Sequence, residues 1–215
     1  MKRVLILKLF LVIKGFRSGA FAKTALTEIT LPKALTVLGD SAFEGCEKLT
    51  AVDIPETVLY IGDAAFKDCY FIESITGMEG AQYIGYEAFS STAYEKTLPD
   101  TAVLGDGVLY RYLHKSDSPK EVTFPAGIRY VAPYALSQGY YYDQIEKITF
   151  ADGLLCLYDN ALDTAYTVDK FDALQTVLLP EGVESIGKRA FAACPALENL
   201  TLPDSITEIG RDALK

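Results

Sequence analysis

One motif of about 23 residues recurs along most of the chain, and this repetition limits the fold more than any other feature of the sequence. Residues 26–48 (LTEITLPKALTVLGDSAFEGCEK) align without a gap with residues 49–71 (LTAVDIPETVLYIGDAAFKDCYF). The same spacing returns near the C-terminus, between Pro180 and Pro203. A unit this short cannot bury its apolar side alone. The copies are therefore predicted to stack into a solenoid with one continuous core.

Each part of the consensus L-x-x-I-x-L-P-x-x-V-x-x-I-G-x-x-A-F-x-x-C-x-x has a physical role. The alternation in L-x-x-I-x-L is typical of a short strand with one buried face, and the proline ends the strand because it has no N–H to donate. The V-x-x-I pair adds a second buried row, and the A-F pair, which we call the plug, fills the coil from a short helical or 3₁₀ turn. The predicted strands are 26–31, 49–54, 72–76, 145–150, 174–179 and 197–202, with weaker copies ending at Leu98 and Phe124.

The middle of the chain departs from this period. We predict one repeat domain over residues 23–215, with insertions around 100–121, 137–144 and 163–172. The first insertion contains Gly105-Asp106-Gly107, which favours a hairpin-like excursion. Insertions on one face of a solenoid often lie on its binding side.

The run ALTEITLPKALTVLGDSAFEGCEKLTAVDIPETVLYIGDAAFKDC, residues 25–69, resembles the BspA-like leucine-rich repeats of bacterial surface proteins. GDGVLYRYL followed by TFPAGIRYVAPYAL is similar to that family's usual interruption. The resemblance covers residues 19–215 and implies a leucine-rich-repeat solenoid. That fold is a right-handed superhelix with a parallel sheet of short strands on its concave face and short helical or 3₁₀ turns opposite. The resemblance also implies adhesion or host-protein binding, without a universal site.

Residues 1–22 have two interpretations. Met1-Lys2-Arg3, the apolar residues 4–13 and Ala20-Phe21-Ala22 together fit a signal peptide. Alternatively, the segment is a strand that caps the first coil, because Lys8 interrupts the apolar stretch and AFAKTALTEITLP parallels the later AFSSTAYEKTLP. About ten apolar residues are too few for a transmembrane helix, which needs roughly 20.

The C-terminus stops inside a repeat, before the expected cysteine and the next strand. Solenoids need polar end caps for solubility, so we expect a fragment of a longer protein or an end covered by a partner. Open ends and unpaired strand edges would also allow end-to-end self-association.

The residues that could carry chemistry are few. Cys46, Cys69 and Cys194 share one repeat position, so we predict buried thiols that fill the coil, with no disulfide and no metal site. Cys156 lies outside that column and is expected to be partly exposed. His114 is the only histidine and is expected on an exposed loop.

The sequence favours a binding protein over an enzyme. The formal charge of −9 argues against nucleic acid, and there is no phosphate loop, metal-ligand cluster or paired-carboxylate motif. We therefore predict no catalytic residue and no cofactor. A remote alternative is an enzyme with its site near His114.

Two surface features are candidates for ligand contact. The first is the outward position of each strand, where five of seven residues are threonine, so that the face presents a ladder of hydroxyls. The seven residues are Thr30, Asp53, Thr76, Thr123, Thr149, Leu178 and Thr201. The second is Tyr140, Tyr141 and Tyr142, since three adjacent rings cannot all point inward and tyrosine is enriched in interfaces. The competing explanations are the strand propensity of threonine and ring packing in irregular coils.

These features predict a non-enzymatic binding module, extracellular or on the cell surface, whose partner is a protein or a glycan. The contacts would come from the concave strand face and the central insertion. The alternative is a structural spacer array within a longer surface protein.

Overall fold

The computed structural model describes residues 5–8, 13–138, 141–164 and 171–215. The chain divides into two compact units: unit 1, Met1–Pro99 with Leu104–Asp106, and unit 2, Asp100–Val103 with Gly107–Lys215. Short strands and tight turns make up both units, and the described residues contain two 3₁₀ helices but no α-helix. Within each unit the coils stack as a parallel β-solenoid, which confirms the solenoid predicted from the repeat.

Unit 1 contains three small parallel sheets. Strand β1 pairs with β3, β5 pairs with β7, and β2, β4, β6 and β8 form a four-stranded sheet in that order. The elements are β1 (Leu5–Lys8), β2 (Gly15–Phe16), β3 (Leu26–Thr30), β4 (Val37–Leu38), β5 (Ala51–Ile54), β6 (Tyr60–Ile61), β7 (Ser74–Gly77), β8 (Tyr83–Ile84) and the 3₁₀ helix η1 (Glu95–Thr97).

Unit 2 contains two sheets, one of four strands and one of six. The elements are β9 (Thr101–Leu104), β10 (Val108–Tyr112), β11 (Glu121–Phe124), β12 (Tyr130–Val131), the 3₁₀ helix η2 (Tyr142–Gln144), β13 (Lys147–Phe150), β14 (Cys156–Leu157), β15 (Thr176–Leu178), β16 (Ser185–Ile186), β17 (Asn199–Thr201) and β18 (Glu208–Ile209). The order of one sheet is β11-β13-β15-β17, and that of the other is β18-β16-β14-β12-β10-β9.

The core of unit 1 is a column of phenylalanine rings. Phe43, Phe66 and Phe89 are fully buried, and their ring centroids follow one another at 5.1 and 6.1 Å with nearly parallel planes. Phe21 continues the column, 5.2 Å from Phe43. The 23-residue period places one such ring in each coil, so successive coils stack ring on ring.

The glycine that ends the V-x-x-I-G element is required by close approach of the backbone. A Cβ on Gly62 would lie 2.4 Å from the backbone nitrogen of Asp40 in the preceding coil, closer than any side chain allows. Beside it, the Asp40 carboxylate accepts a hydrogen bond from the Asp63 N–H at 3.1 Å. The Asp63 carboxylate accepts from the Tyr86 N–H at 2.9 Å. Each aspartate thus satisfies a backbone donor of the next coil.

The predicted strand ending at Leu98 is wrong, because the chain forms η1 there. The Thr92 hydroxyl accepts from the Glu95 N–H at 2.9 Å, and the Glu95 carboxylate accepts from the Ser91 N–H at 3.0 Å. These local side-chain bonds favour a helical turn over a strand.

Within residues 1–22, β1 pairs in parallel with β3, while residues 1–4 and 9–12 lie outside the described part. Cleavage of this segment, the single-domain boundary 23–215 with its three insertions, and the handedness of the superhelix remain predictions. No helix among the described residues is long and apolar enough to cross a membrane.

Candidate functional site

The outward positions of the unit 1 strands are occupied by Thr30, Asp53 and Thr76. Asp53 pairs with Thr76 across β5 and β7, and Thr30 occupies the same position in β3. All three side chains are exposed. The Thr76 hydroxyl donates to the Asp53 carboxylate at 2.8 Å, which holds that carboxylate against the strand.

The corresponding positions in unit 2 also form one row, whose pairs run across β11, β13, β15 and β17. Its members are Thr123, Thr149, Leu178 and Thr201; Thr149 is half-buried and the others are exposed. Two adjacent ion pairs of opposite polarity join the coils beside the row: Lys120 with Glu146 at 2.6 Å and Lys147 with Glu121 at 3.3 Å. Because these pairs are exposed they add little stability, but they neutralise this part of the strand face.

A cleft opens on the strand face of unit 1 beside β3 and β5. Among the described residues no hydrogen-bonded ladder joins these two neighbouring strands, although each is paired on its other side. The cleft has a volume of about 530 Å³, which is within the range of small-ligand sites. Its lining includes Thr30, Lys33, Asp53, Glu56 and Thr57. We call it the strand-face cleft.

The strand-face cleft offers hydrogen-bond donors and acceptors above an apolar floor. Thr57 is already engaged, since its hydroxyl lies 2.9 Å from the Lys33 carbonyl and 2.8 Å from the Leu35 carbonyl. These bonds tie the two coils together below the opening. The Thr30 hydroxyl, the Lys33 ammonium and the Asp53 and Glu56 carboxylates then remain as the polar groups that can meet a ligand.

The three tyrosines proposed as ligand contacts have different outcomes. Tyr140 lies outside the described residues. Tyr141 is 46% exposed and adopts a left-handed backbone conformation with φ of 65°. Tyr142 is only 5% exposed, and its ring centroid lies 5.1 Å from that of Phe171. The expected ligand contact of Tyr142 is therefore wrong. The Tyr142 ring packs against Phe171 instead, where its burial is favourable.

His114 was expected on an exposed loop, and this expectation is also wrong. The imidazole is 2% exposed, and its Nδ1 lies 3.2 Å from the Tyr112 hydroxyl. The Tyr112 ring in turn packs edge-on against Phe124 at 5.2 Å. Burial lowers the pKa of His114, and the carboxylate of Asp143 opposes this in part.

In this environment the His114 imidazole is packed inside the coil beside Tyr112. Its hydrogen-bond partner is a phenol, not the hydroxyl or thiol of an activated nucleophile held in an open cleft. In the part of the chain that the structure describes, no group of three or more His, Cys, Asp and Glu side chains could hold a metal ion.

The cysteines at the repeat position are buried free thiols. The Cys46 thiol donates to the Phe21 carbonyl at 3.1 Å, and the Cys69 thiol donates to the Phe43 carbonyl at 3.0 Å. Burial raises the pKa of the Cys194 thiol to about 12, so it stays protonated and unreactive. Cys156 is half-buried, outside this column.

Sequence reasoning missed a stack of tyrosines on the four-stranded sheet of unit 1. The rings of Tyr60 and Tyr83 are parallel, with centroids 4.5 Å apart. Their hydroxyls lie 3.5 and 3.3 Å from the carboxylates of Asp40 and Asp63. Burial, with the nearby Asp63 charge, raises the pKa of Tyr83. Tyrosine at one repeat position in consecutive copies was the signal that could have revealed it.

Parallel coils, a buried plug in each coil and an in-register exposed row define a leucine-rich-repeat solenoid. The chain belongs to the family of the BspA type leucine-rich repeat region, whose model matches residues 12–103 and 108–215. No match to a curated protein is found.

Several solved structures are similar to this chain. The pneumococcal vaccine antigen PcpA is 21% identical over 92% of this chain and 50% of its own, with a TM-score of 0.41. A leucine-rich cell surface protein from Faecalibacterium prausnitzii is 19% identical over 94% of this chain and 67% of its own, with a TM-score of 0.40. A leucine-rich repeat protein from Eubacterium ventriosum is 17% identical over 90% of this chain and 83% of its own, with a TM-score of 0.32. The chain spans half the length of PcpA.

Proposed function

We propose that this chain is a non-enzymatic recognition module of a bacterial surface or secreted protein and that it binds a protein or glycan through its strand face. The observation that carries the proposal is the strand-face cleft, which brings Thr30 and Asp53, two of the residues selected from the sequence, to one opening. Membership of the BspA type family supports a recognition role.

The cleft is suited to recognition because two of its polar side chains, Thr30 and Asp53, stand on strands. Sites built on regular elements hold their contact groups more firmly than loops do, so less ordering is needed when a ligand binds. The Thr76 hydroxyl orients the Asp53 carboxylate before any ligand arrives. In unit 2, the row from Thr123 to Thr201 and the exposed Tyr141 ring would provide further contact area.

The experiment is a binding assay of the full chain on a panel of immobilised secreted glycoproteins, each also presented after enzymatic removal of its glycans. We expect Asp53→Ala to weaken binding to the recognised member by about tenfold or more, since a lost charged hydrogen bond contributes about 1.5–3 kcal/mol. The treated and untreated pairs then distinguish a glycan ligand from a protein ligand.

Thr207→Ala is the control, because Thr207 is an exposed residue that does not line the cleft. It should bind as the unmodified chain does. Both variants should keep the unfolding midpoint, since both side chains are exposed. Unchanged affinity in Asp53→Ala would remove the cleft from the proposal, and no binding to any member would favour the spacer array.

A further inference from the structure

A second pocket of unit 1 lies on the turns that connect each plug to the next strand. Its volume is about 410 Å³, and it shares no lining residue with the strand-face cleft. The side chains that matter to its chemistry are Lys23, Glu44, Glu47, Lys48, Asp68 and Tyr70. We call it the Tyr70 pocket.

Tyr70 departs from the repeat. It follows the plug cysteine, at the position that holds Glu47 and Pro195 in other copies. Half of its surface is exposed, so the ring adds little to the core. An exposed aromatic ring that forms the wall of a pocket is available to pack against a ligand.

The phenol of Tyr70 remains a neutral hydrogen-bond group. The nearby carboxylate of Asp68, and to a lesser extent burial and the charge of Glu47, raise its pKa. Ring and carboxylates therefore lie close together, and an apolar surface stands beside strong acceptors.

The charges of the pocket nearly balance. Three carboxylates, those of Glu44, Glu47 and Asp68, face two ammonium groups, those of Lys23 and Lys48. A cation would meet two positive charges there and an anion three negative ones. A neutral molecule with many hydroxyls can use both sets, since carboxylates accept from hydroxyls and ammonium groups donate to them.

The backbone around the pocket is fixed in advance. The Lys23 N–H donates to the Glu44 carbonyl at 2.6 Å, and the Gly45 N–H donates to the Lys67 carbonyl at 2.8 Å. Gly45 has a φ of 68°, and a Cβ there would come within 3.1 Å of the Lys23 side chain. The glycine thus leaves room for that lysine at the wall of the pocket.

We infer that the Tyr70 pocket binds a saccharide unit of a neutral glycan. The ring of Tyr70 packs against the apolar face of the sugar, and the carboxylates and ammonium groups hydrogen-bond with its hydroxyls. This site is separate from the strand-face cleft, so the inference stands on its own observations.

The test uses the full chain on an array of neutral oligosaccharides built from hexoses and N-acetylhexosamines, with sialylated and sulfated glycans alongside. The oligosaccharide retained best is then titrated calorimetrically against the variants. We expect Tyr70→Ala to lower affinity at least tenfold and Tyr70→Phe, which keeps the ring, to stay within about threefold. Tenfold corresponds to about 1.4 kcal/mol.

Phe71→Ala is the control, because Phe71 is the adjacent ring, is 62% exposed and does not line the pocket. It should bind normally. The inference is overturned if no neutral oligosaccharide binds, if charged glycans bind more tightly, or if Tyr70→Ala binds as the unmodified chain does. Loss in Asp53→Ala with retention in Tyr70→Ala would assign the sugar to the strand-face cleft, and would overturn this inference while supporting the proposed function.

Discussion

At the repeat position after the plug, the side chain is a small hydrogen-bond donor in the coils of unit 1. The Thr24 hydroxyl donates to the Phe21 carbonyl at 2.8 Å, and the thiols of Cys46 and Cys69 donate to plug carbonyls of the preceding coil. The alternation of cysteine and threonine in the sequence predicted a small buried residue. The hydrogen bond could not be predicted, because it depends on where the neighbouring carbonyl points.

His114 provides a prediction about pH at this scale. Burial depresses its folded-state pKa below that of a free imidazole, whereas in the unfolded chain the side chain titrates at about 6.5. The unfolded state therefore takes up the proton first as the pH falls. The free energy of unfolding should be full above pH 6.5 and decline as the pH is lowered through the folded-state pKa. Proton NMR measures the folded-state pKa of His114 directly, because the chain has one imidazole.

The control for this prediction is His114→Asn, compared by urea unfolding at about pH 7 and pH 5.5. This variant leaves the two neighbours of the imidazole, Tyr112 and Asp143, unsubstituted. The pH-dependent loss should shrink in the variant. A measured imidazole pKa at or above 6.5 would contradict the burial of this side chain.

The phenylalanine column is the element that connects the coils of unit 1. Phe66 lies fully buried between Phe43 and Phe89. We predict that Phe66→Ala lowers the free energy of unfolding by about 3–5 kcal/mol, because it removes a buried ring and leaves a cavity. Urea unfolding followed by circular dichroism would measure the loss.

Phe71→Ala is again the matched control, since it removes the same side chain from an exposed site. Its effect should stay within about 0.5 kcal/mol. Because each coil is stabilised by its neighbours, amide exchange in β4, β6 and β8 should accelerate together in Phe66→Ala. A cost below about 1 kcal/mol, similar to that of an exposed site, would show that the column does not hold the coils together.

The strands could be predicted at the level of elements because alternation marks them in each copy and a following proline marks most of them. The exception near Leu98 has local side-chain hydrogen bonds as its physical cause: the Thr92 hydroxyl accepts from the Glu95 N–H, and the Glu95 carboxylate accepts from the Ser91 N–H. The strand pattern there is weak, and the local hydrogen bonds favour a 3₁₀ turn instead.

At the scale of the whole molecule, the repeat period predicted the exposed rows, because equal positions of in-phase coils fall in register. The strand-face cleft could not be predicted, since the repeat does not reveal which neighbouring strands fail to form a ladder. The burial of Tyr142 could not be predicted either, because it lies in an irregular segment outside the repeat period. Side chains in irregular segments follow such local turns rather than the period.

Recognition through the strand face is the central claim, and hydrogen–deuterium exchange of the full chain tests it most directly. Exchange would be compared between the free chain and the chain saturated with the glycoprotein of the panel that it binds. We predict slower exchange in residues 29–33 and 53–57, which contain the residues that line the strand-face cleft. Slower exchange confined to β2, β4, β6 and β8, or no change with any member of the panel, would contradict the claim.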